Sequence, residues 1–360
     1  MVDDQWGPCL QTLEGHDRPV SSLAFSPNGA TLASASSDNT VKVWDITTGQ
    51  CLRTLQIHGE RPYTVVFSLK RDKLASASLD GIVRLWDEAT GRLLNTFHGN
   101  RPPNDGFTHF VRAAFCSGDQ QIMLGSQENF EIWDIATGHY TRQFQESEPF
   151  PKNGVAFSSD GTFFARYYKR GRIVSFDTKT GTHSKTFHPL CPEEHDHERY
   201  QIALSFDGTR LVSCDRCCRL RSWDTTTCQS IWEDIDAPEF QTAFESAVAY
   251  SRDGRFVACS ALKNSAVEIR DAETGKVLRE LSIDTSSALA FSIDGTQLVS
   301  GSLRDPMIRV WDISGVQRYQ PVEGGSSTHP GCLHSGSRNA TKGKKGFFLS
   351  LSLVAHNYAN

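Results

Sequence analysis

The sequence predicts an all-β fold, a seven-bladed β-propeller, from three observations. A repeated unit ends in an Asp seven times along the chain, at steps of 42, 47, 43, 47, 47 and 41 residues. A Gly preceded by Thr or Ser follows nearly every unit, and short alternating runs lie between turn residues, which is typical of β-hairpins. Because one four-stranded unit cannot bury both of its faces, the seven units are expected to stack around an axis.

The first two units show the repeat most clearly. Residues 32–45 return as residues 74–87, with Leu-Ala-Ser-Ala-Ser at the start and Trp-Asp at the end of both. In the first unit we predict strand a at 20–25, b at 31–36, c at 40–45 and d at 50–55. The seven units are predicted at about 16–55, 58–97, 107–144, 150–187, 195–232, 241–281 and 287–313.

The N-terminal segment supplies a strand that the last unit lacks. Residues 9–13, Cys-Leu-Gln-Thr-Leu, are similar to residues 51–55, Cys-Leu-Arg-Thr-Leu, in the predicted strand d of unit 1. The seventh unit contains strands a to c and then leaves the pattern, so residues 8–13 are expected to complete it and to remove an open sheet edge. The propeller is thus predicted over residues 8–315, and the low-complexity residues 316–360 are predicted to form a flexible, disordered tail.

Composition restricts the classes of function. The formal net charge of -5 does not favour a nucleic-acid partner, and no apolar stretch is long enough to span a bilayer. The N-terminal residues lack the apolar run of a secretory signal, and 10 cysteines among 360 residues are too few for a disulfide scaffold. We therefore expect a monomeric, cytoplasmic domain with reduced thiols, the nucleus being the alternative compartment.

From residue 8 to 315 the repeats resemble those of the WD40-repeat family. The opening Cys-Leu-Gln-Thr-Leu-Glu-Gly-His is similar to the WD40 arrays of fungal STAND-type (NACHT-containing) heterokaryon-incompatibility proteins. The NTPase loop of those proteins, Gly-x4-Gly-Lys-Ser/Thr, does not occur in this sequence. The resemblance implies a buried hydrogen-bonded tetrad in each regular unit, made of a His before strand a, a Ser or Thr in b, an Asp in the b–c turn and the Trp of c.

Three units carry these tetrad positions. They are His16, Ser34, Asp38 and Trp44 in unit 1; His58, Ser76, Asp80 and Trp86 in unit 2; and His195, Ser213, Cys217 and Trp223 in unit 5, where Cys217 replaces the Asp. A His and an Asp beside a Ser also suggest a hydrolase. A catalytic site would occur once, however, whereas a buried polar network repeats with the blades. No catalytic residue and no cofactor are therefore predicted.

Basic residues concentrate in the b–c regions of units 4 and 5. The residues with a predicted role in binding are Arg166, Lys169, Arg170, Arg216 and Arg219, with Tyr167, Tyr168 and Tyr200 as apolar anchors. One interpretation is a solvated charged rim, partly neutralised by acidic residues at 193–198. The alternative is a docking patch for an acidic peptide or a phosphate.

A group of Cys and His residues lies in the same region, at Cys191, His195, His197, Cys214, Cys217 and Cys218. Two thiolates and two imidazoles could bind zinc. Because His195 already has a place in the tetrad, and because the cysteines lack a second clean pair, no metal site is predicted.

The whole pattern favours a non-catalytic protein–protein interaction scaffold or sensor that binds protein or peptide partners and no small-molecule substrate. The alternative is the substrate receptor of a ubiquitin ligase, although the Trp-Asp-x-Arg signature common in such receptors is missing. An enzyme on a propeller scaffold is the third hypothesis, and neither a nucleophile motif nor an acidic metal cluster supports it.

Overall fold

The computed structural model describes residues 9–57, 59–70, 72–98, 112–125, 129–145, 154–158, 161–168, 172–188, 201–214, 219–234, 247–261, 266–283, 286–302 and 304–316. Within this part of the chain, all regular secondary structure is β-strand. The chain divides into two units, Met1–Tyr319 and Gln320–Asn360, and every described residue belongs to the first. After Val316, the predicted tail lies outside the described residues.

The described strands form seven antiparallel four-stranded sheets, which are the blades. The first strand, β1 (Cys9–Leu13), belongs to the last blade. Blade 1 contains β2 (Val20–Phe25), β3 (Thr31–Ser36), β4 (Thr40–Asp45) and β5 (Cys51–Gln56). Blade 2 contains β6 (Pro62–Phe67), β7 (Lys73–Ser78), β8 (Ile82–Asp87) and β9 (Leu93–His98). Blade 3 contains β10 (Arg112–Cys116), β11 (Gln121–Gly125), β12 (Asn129–Asp134) and β13 (Tyr140–Gln145).

The remaining blades follow the same order. Blade 4 contains β14 (Val155–Phe157), β15 (Phe163–Tyr167), β16 (Ile173–Asp177) and β17 (His183–Phe187). Blade 5 contains β18 (Gln201–Leu204), β19 (Arg210–Cys214), β20 (Leu220–Asp224) and β21 (Ser230–Glu233). Blade 6 contains β22 (Val248–Tyr250), β23 (Phe256–Ala261), β24 (Ala266–Asp271) and β25 (Val277–Ser282). Blade 7 contains β26 (Ser286–Phe291), β27 (Gln297–Ser302), β28 (Ile308–Asp312) and β1.

The predicted fold class is confirmed, and in blade 1 the element bounds are also close to those predicted. Strands a, b and c of that blade have the predicted bounds, and strand d begins one residue later, at Cys51. Short strands separated by tight turns need no long-range information, which explains why the repeat pattern alone locates them.

The ring is closed by β1, as predicted. β1 pairs antiparallel with β28, placing Thr12 opposite Arg309 and Leu13 opposite Ile308. Leu13 is buried in a cluster that spans blades 7 and 1. The side chain of Gln11 lies directly over Gly49 in the c–d turn of blade 1, where a Cβ would collide with it; the φ of 72° at this position also favours glycine. The first strand therefore pairs within blade 7 and also packs against blade 1.

The central axis is surrounded by the first strand of each blade. Each of these strands contacts the first strand of both neighbouring blades, as β2 contacts β6 and β26. The apolar core lies between blades: Phe97 of blade 2 packs on Trp133 of blade 3, with 5.8 Å between ring centroids. Because successive strands are antiparallel, the d–a and b–c connections lie at one end of the ring, here named the upper end. The a–b and c–d turns lie at the lower end.

The Asp that ends each strand c organises the following turn. Asp45 Oδ1 accepts hydrogen bonds from the backbone nitrogens of Thr47, at 3.0 Å, and Thr48, at 2.7 Å, and from Thr48 Oγ1 at 3.0 Å. The hydrogen bonds from the Thr48 backbone and side chain hold the pKa of Asp45 below its usual value. An equivalent Thr bonds Asp87, Asp134, Asp177, Asp224 and Asp271. The repeated Asp is thus a local turn device.

Candidate functional site

In blade 1 the tetrad forms one continuous chain of hydrogen bonds. Trp44 Nε1 donates to Ser34 Oγ at 2.8 Å, and Ser34 Oγ lies 2.7 Å from His16 Nε2. His16 Nδ1 lies 2.7 Å from Asp38 Oδ2. All donors are satisfied when the Ser34 hydroxyl donates to His16 Nε2 and His16 Nδ1–H donates to Asp38. His16, Ser34 and Trp44 are buried, so this chain satisfies groups that would otherwise be costly to desolvate.

The acidic end of this chain stays ionised. Burial alone would raise the pKa of Asp38. The hydrogen bonds from His16 and Thr40 and from the backbone N–H of Asp17 together hold this pKa well below its usual range. Thr40 Oγ1 donates to Asp38 Oδ1 at 2.6 Å. The carboxylate therefore orients the imidazole and fixes the turn between β3 and β4.

Blades 2 and 7 contain parts of the same arrangement. Trp86 Nε1 donates to Ser76 Oγ at 2.9 Å, and Asp80 Oδ1 accepts from the Ile82 backbone nitrogen at 3.0 Å. The predicted His58 lies outside the described residues. In blade 7 Trp311 Nε1 donates to Ser300 Oγ at 2.9 Å. The indole-to-serine bond is thus a repeated structural contact.

Blade 5 differs from the arrangement that the resemblance implies. Ser213 and Trp223 are both buried, but Trp223 Nε1 has no hydrogen-bond partner among the described residues. The indole packs instead against Phe187 of blade 4, with ring centroids 6.4 Å apart, in an apolar cluster. The predicted His195 and Cys217 lie outside the described residues. The bond between Ser213 and Trp223 is therefore replaced by apolar packing.

Three of the docking residues predicted in blades 4 and 5 are buried. The exposed fractions are 2% for Arg166, 4% for Tyr167 and 5% for Tyr168. The Arg166 guanidinium carbon lies 5.0 Å from the Phe130 ring centroid of blade 3 and 5.9 Å from that of Tyr168. This corrects the predicted docking role of these three residues, because side chains buried between blades cannot meet a partner.

The remaining docking residues are placed as follows. Arg219 is half-buried at the start of the segment that leads into β20. Lys169, Arg170, Arg216 and Tyr200 lie outside the described residues. For these five residues the docking role stays a prediction.

The register explains the burial of Arg166. In blade 1 Leu32 pairs with Trp44, and Ser34 follows two residues later. In blade 4 Phe164 pairs with Phe176, and Arg166 follows two residues later. Arg166 thus has the tetrad position of the Ser, between blades 3 and 4. The sequence contains this signal, since both residues precede the Asp that ends strand c by the same spacing.

Blade 6 replaces the Trp of strand c by an arginine with acidic partners. Arg270 Nε donates to Glu268 Oε2 at 2.8 Å, and Arg270 NH2 donates to Asp234 Oδ2 at 2.6 Å. Arg270 NH1 also donates to the Gly275 carbonyl at 2.9 Å. Because Glu268 is buried and Arg270 is nearly so, this ion cluster takes the structural place of an indole.

A different cluster occupies the central channel at its upper end. Arg112 begins β10 in blade 3, and Gln201 begins β18 in blade 5. Arg112 NH2 donates to Gln201 Oε1 at 3.0 Å, and its guanidinium carbon lies 5.7 Å from the Tyr63 ring centroid of blade 2. Blade 4 separates blades 3 and 5 around the ring, so this contact crosses the channel. We name Tyr63, Arg112 and Gln201 the channel mouth; all three are half-buried.

Register shows that Arg112 and Gln201 hold equivalent positions. In each of these blades, the strand-b residue that pairs with the Trp of strand c also pairs with a residue of strand a, which is Phe115 in blade 3 and Leu204 in blade 5. Arg112 and Gln201 each lie three residues before that strand-a residue. The other blades have short side chains there, namely Ser22, Thr64, Gly154, Ala247 and Ala288. The sequence predicted no role for the channel mouth, because its members lie in three different units. Their equivalent positions were the available signal.

The described residues contain no group of three or more His, Cys, Asp and Glu side chains placed to hold a metal ion. Of the Cys and His group noted in the sequence, Cys214 alone is described, and it is buried. Within the same ranges, no helix has the length and apolar character needed to cross a bilayer.

Comparison with known proteins identifies the repeats. The family described as WD domain, G-beta repeat matches residues 7–45, 49–87 and 275–312. Each matched segment ends at the Asp that ends strand c, in blade 1, blade 2 and blade 7 respectively. The units with the most regular sequence are therefore those that match.

Similar proteins match over the repeats. The chain is 49% identical over 49 residues to Vegetative incompatibility protein HET-E-1 of Podospora anserina, which is 14% of this chain and 4% of that protein. It is 57% identical over 42 residues to a Periodic tryptophan protein 2 homolog of Schizosaccharomyces pombe, 12% of this chain and 5% of that protein. It is 22% identical over 218 residues to Target of rapamycin complex subunit wat1 of the same species, 60% of this chain and 54% of that protein. The chain thus spans about half of the last relative and a small part of the other two.

Proposed function

We propose that this chain, a β-propeller built from WD40 repeats, is a non-catalytic scaffold that binds a protein or peptide partner at its upper end. The observation that carries the proposal is the channel mouth. There a half-buried guanidinium, Arg112, lies in the central channel at the end of the ring that carries the d–a and b–c connections. Rigid sheets that present loops and a recessed cation on one face are suited to binding.

The geometry of the tetrad supports a structural rather than a catalytic role for its polar residues. Ser34 Oγ accepts the Trp44 indole hydrogen bond and contacts His16, so its hydroxyl is already engaged on both sides. Ser34 is 0% exposed, and a nucleophile must reach its substrate. The same indole-to-serine bond occurs in blades 2 and 7. A group that repeats with the blades supports the fold.

Two features favour the upper end over the lower end as the binding surface. The connections from strand d to the next strand a are long at three places, from His98 to Arg112, from Phe187 to Gln201 and from Glu233 to Val248. The lower end carries short turns fixed by their own Asp and Thr side chains. Long connections carried on a rigid scaffold are where binding residues concentrate.

The relatives support a role in an assembly. One of them is named as a subunit of the target of rapamycin complex, and it matches over 218 residues, which is 60% of this chain. We infer that this chain is likewise a component of a protein complex in the cytoplasm. A closed propeller has an upper and a lower surface that can bind partners without any catalytic activity. The partner is expected to be a protein segment with acidic residues.

The experiment compares the two ends of the ring. The full chain is used as bait for affinity capture, and the captured partner is then tested against two charge-reversal variants. Arg18→Glu with Arg61→Glu changes exposed side chains at the upper end, and Arg92→Glu with Lys179→Glu is the matched change at the lower end. We expect only the upper pair to weaken capture. Equal capture by the upper pair and the native chain, or loss only with the lower pair, would reject the proposal.

A further inference from the structure

We infer that the channel mouth binds a single carboxylate of the partner, an Asp or Glu side chain of an extended segment, with Arg112 as its anchor. This inference rests on the proposed scaffold function and names the chemistry that the partner must carry. It follows from three properties of Arg112: its place on the axis, the number of N–H donors in its guanidinium and, within the described ranges, the absence of an ion pair with an acidic side chain.

The place of Arg112 is fixed by contacts from two sides. Gln201 Oε1 accepts one N–H from blade 5, and the Tyr63 ring of blade 2 lies under the guanidinium at 5.7 Å. A guanidinium carries five N–H donors in a planar fork, which matches the two oxygens of a carboxylate. Gln201 occupies one of these donors. The contacts hold the side chain in position, so little conformational entropy is lost when a ligand binds.

The charge environment of Arg112 sets it apart from an arginine that forms ion pairs, Arg270. Among the described residues, no Asp or Glu forms an ion pair with Arg112, whereas Arg270 of blade 6 has both Glu268 and Asp234. The equivalent positions of the other five blades hold Ser, Thr, Gly or Ala, none of which is charged. A half-buried cation is screened less by salt than an exposed one, so an incoming carboxylate gains more there than at the rim.

The same features favour a protein carboxylate over a nucleic acid. The net charge of -5 repels a polyanion, and one recessed guanidinium cannot follow a phosphate backbone. A single acidic side chain on an extended segment needs only the paired N–H donors of one guanidinium. The amide nitrogen of Gln201, beside the oxygen that accepts from Arg112, supplies a second donor to the same ligand.

The test uses random peptides displayed on phage, selected on the full chain and then made with free acidic residues or with their amide counterparts. Dissociation constants are measured by fluorescence anisotropy for four proteins. Arg112→Gln removes the anchor, and Gln201→Glu places a carboxylate beside Arg112 that competes with the ligand. Arg92→Gln removes an exposed arginine of a lower-end turn and is the matched control. Melting temperatures check that each variant is folded.

We expect the selected peptides to share an acidic residue and to bind about ten- to hundredfold more weakly when it is replaced by its amide. Arg112→Gln and Gln201→Glu should weaken binding by a similar factor, and Arg92→Gln should bind like the native chain. Selected peptides that bind Arg112→Gln as tightly as the native chain would overturn the inference and leave the scaffold function standing. Failure to select any peptide would overturn both.

Discussion

Arg166 in blade 4 occupies the strand position that Ser34 occupies in blade 1. In blade 1 the Ser accepts a hydrogen bond from Trp44, whereas blade 4 has Phe176, whose ring has no N–H to donate. The guanidinium of Arg166 fills the same space between blades and lies over the Phe130 ring. At this position, blade 4 therefore has a cation–π contact where blade 1 has the indole-to-serine hydrogen bond. A cation–π contact is less directional than a hydrogen bond and can form with an apolar ring.

The first prediction concerns this replacement. Arg166→Met keeps much of the side-chain volume and removes the charge, so the contact with Phe130 is lost and the free energy of unfolding should fall by about 1–2 kcal/mol. Chemical denaturation measures this change. The matched variant Arg172→Met removes an arginine over Tyr168 that is less buried, and it should cost less. If Arg166→Met unfolds like the native chain, Arg166 does not stabilise the seam between blades 3 and 4.

The second prediction concerns the tetrad of blade 1. Asp38→Asn removes the charge that orients His16 and weakens the turn before β4, so the free energy of unfolding should fall by about 1–3 kcal/mol at neutral pH. Asp45→Asn, in an exposed turn, serves as the control and should have a smaller effect. Equal stability of Asp38→Asn and the native chain would show that the chain of hydrogen bonds contributes nothing.

The pH dependence of that effect follows from the depressed pKa of Asp38. A carboxyl whose pKa is lower in the folded state than in the unfolded state contributes stability above its unfolded pKa of about 4, and that stability is lost as the pH falls. The difference in unfolding free energy between the native chain and Asp38→Asn should therefore shrink as the pH is lowered from 6 to about 3. Denaturation midpoints at a series of pH values measure it. A difference that stays constant over this range would contradict the assignment.

The third prediction concerns ring closure. Deletion of residues 1–13 removes β1 and exposes the edge of β28, so the protein should lose cooperative thermal unfolding and aggregate. Deletion of residues 1–8 is the matched control, because it keeps Cys9–Leu13 and should melt like the native chain. Differential scanning calorimetry and light scattering measure both. A clean, unshifted transition for the longer deletion would mean that β1 does not hold the ring together.

The fourth prediction concerns the ion cluster of blade 6. Arg270→Met leaves Glu268 and Asp234 without their cation, and the free energy of unfolding should fall by about 2 kcal/mol, less than for a fully buried pair because Asp234 is partly exposed. Adding Glu268→Gln to Arg270→Met should recover part of the loss, since one uncompensated charge is removed. A double-mutant cycle measures the coupling. Additive losses in the cycle would show that the two side chains act independently.

The repeat pattern predicts the fold because each blade is built from local hairpins. Strand a of blade 1 and the closing strand β1 could be located from residues 20–25 and 9–13, since turn residues and alternation are read within one unit. The concentration of basic residues near Arg166, Tyr167 and Tyr168 suggests the b–c region at the rim. Counting back from Asp177 would have placed Arg166 in strand b.

The channel mouth could not be predicted in the same way. Arg112 and Gln201 come together because blades 3 and 5 meet across the axis, a relationship that depends on ring diameter and on the short residue Gly154 between them. Spacing within a repeat says which residues are equivalent, and it does not say which side chains are long enough to touch across the channel. The strand register shows that Arg112 and Gln201 are equivalent, and only the folded ring shows that they are in contact.

The central claim is that a partner binds at the upper end of the ring, and hydrogen exchange with mass spectrometry tests it most directly. Amide exchange is compared for the full chain alone and with its bound partner. We predict slower exchange in upper-end segments, at residues 14–19, 37–39 and 304–307, and unchanged exchange in the lower-end turns at 46–50 and 88–92. Protection confined to the lower-end turns would contradict the claim.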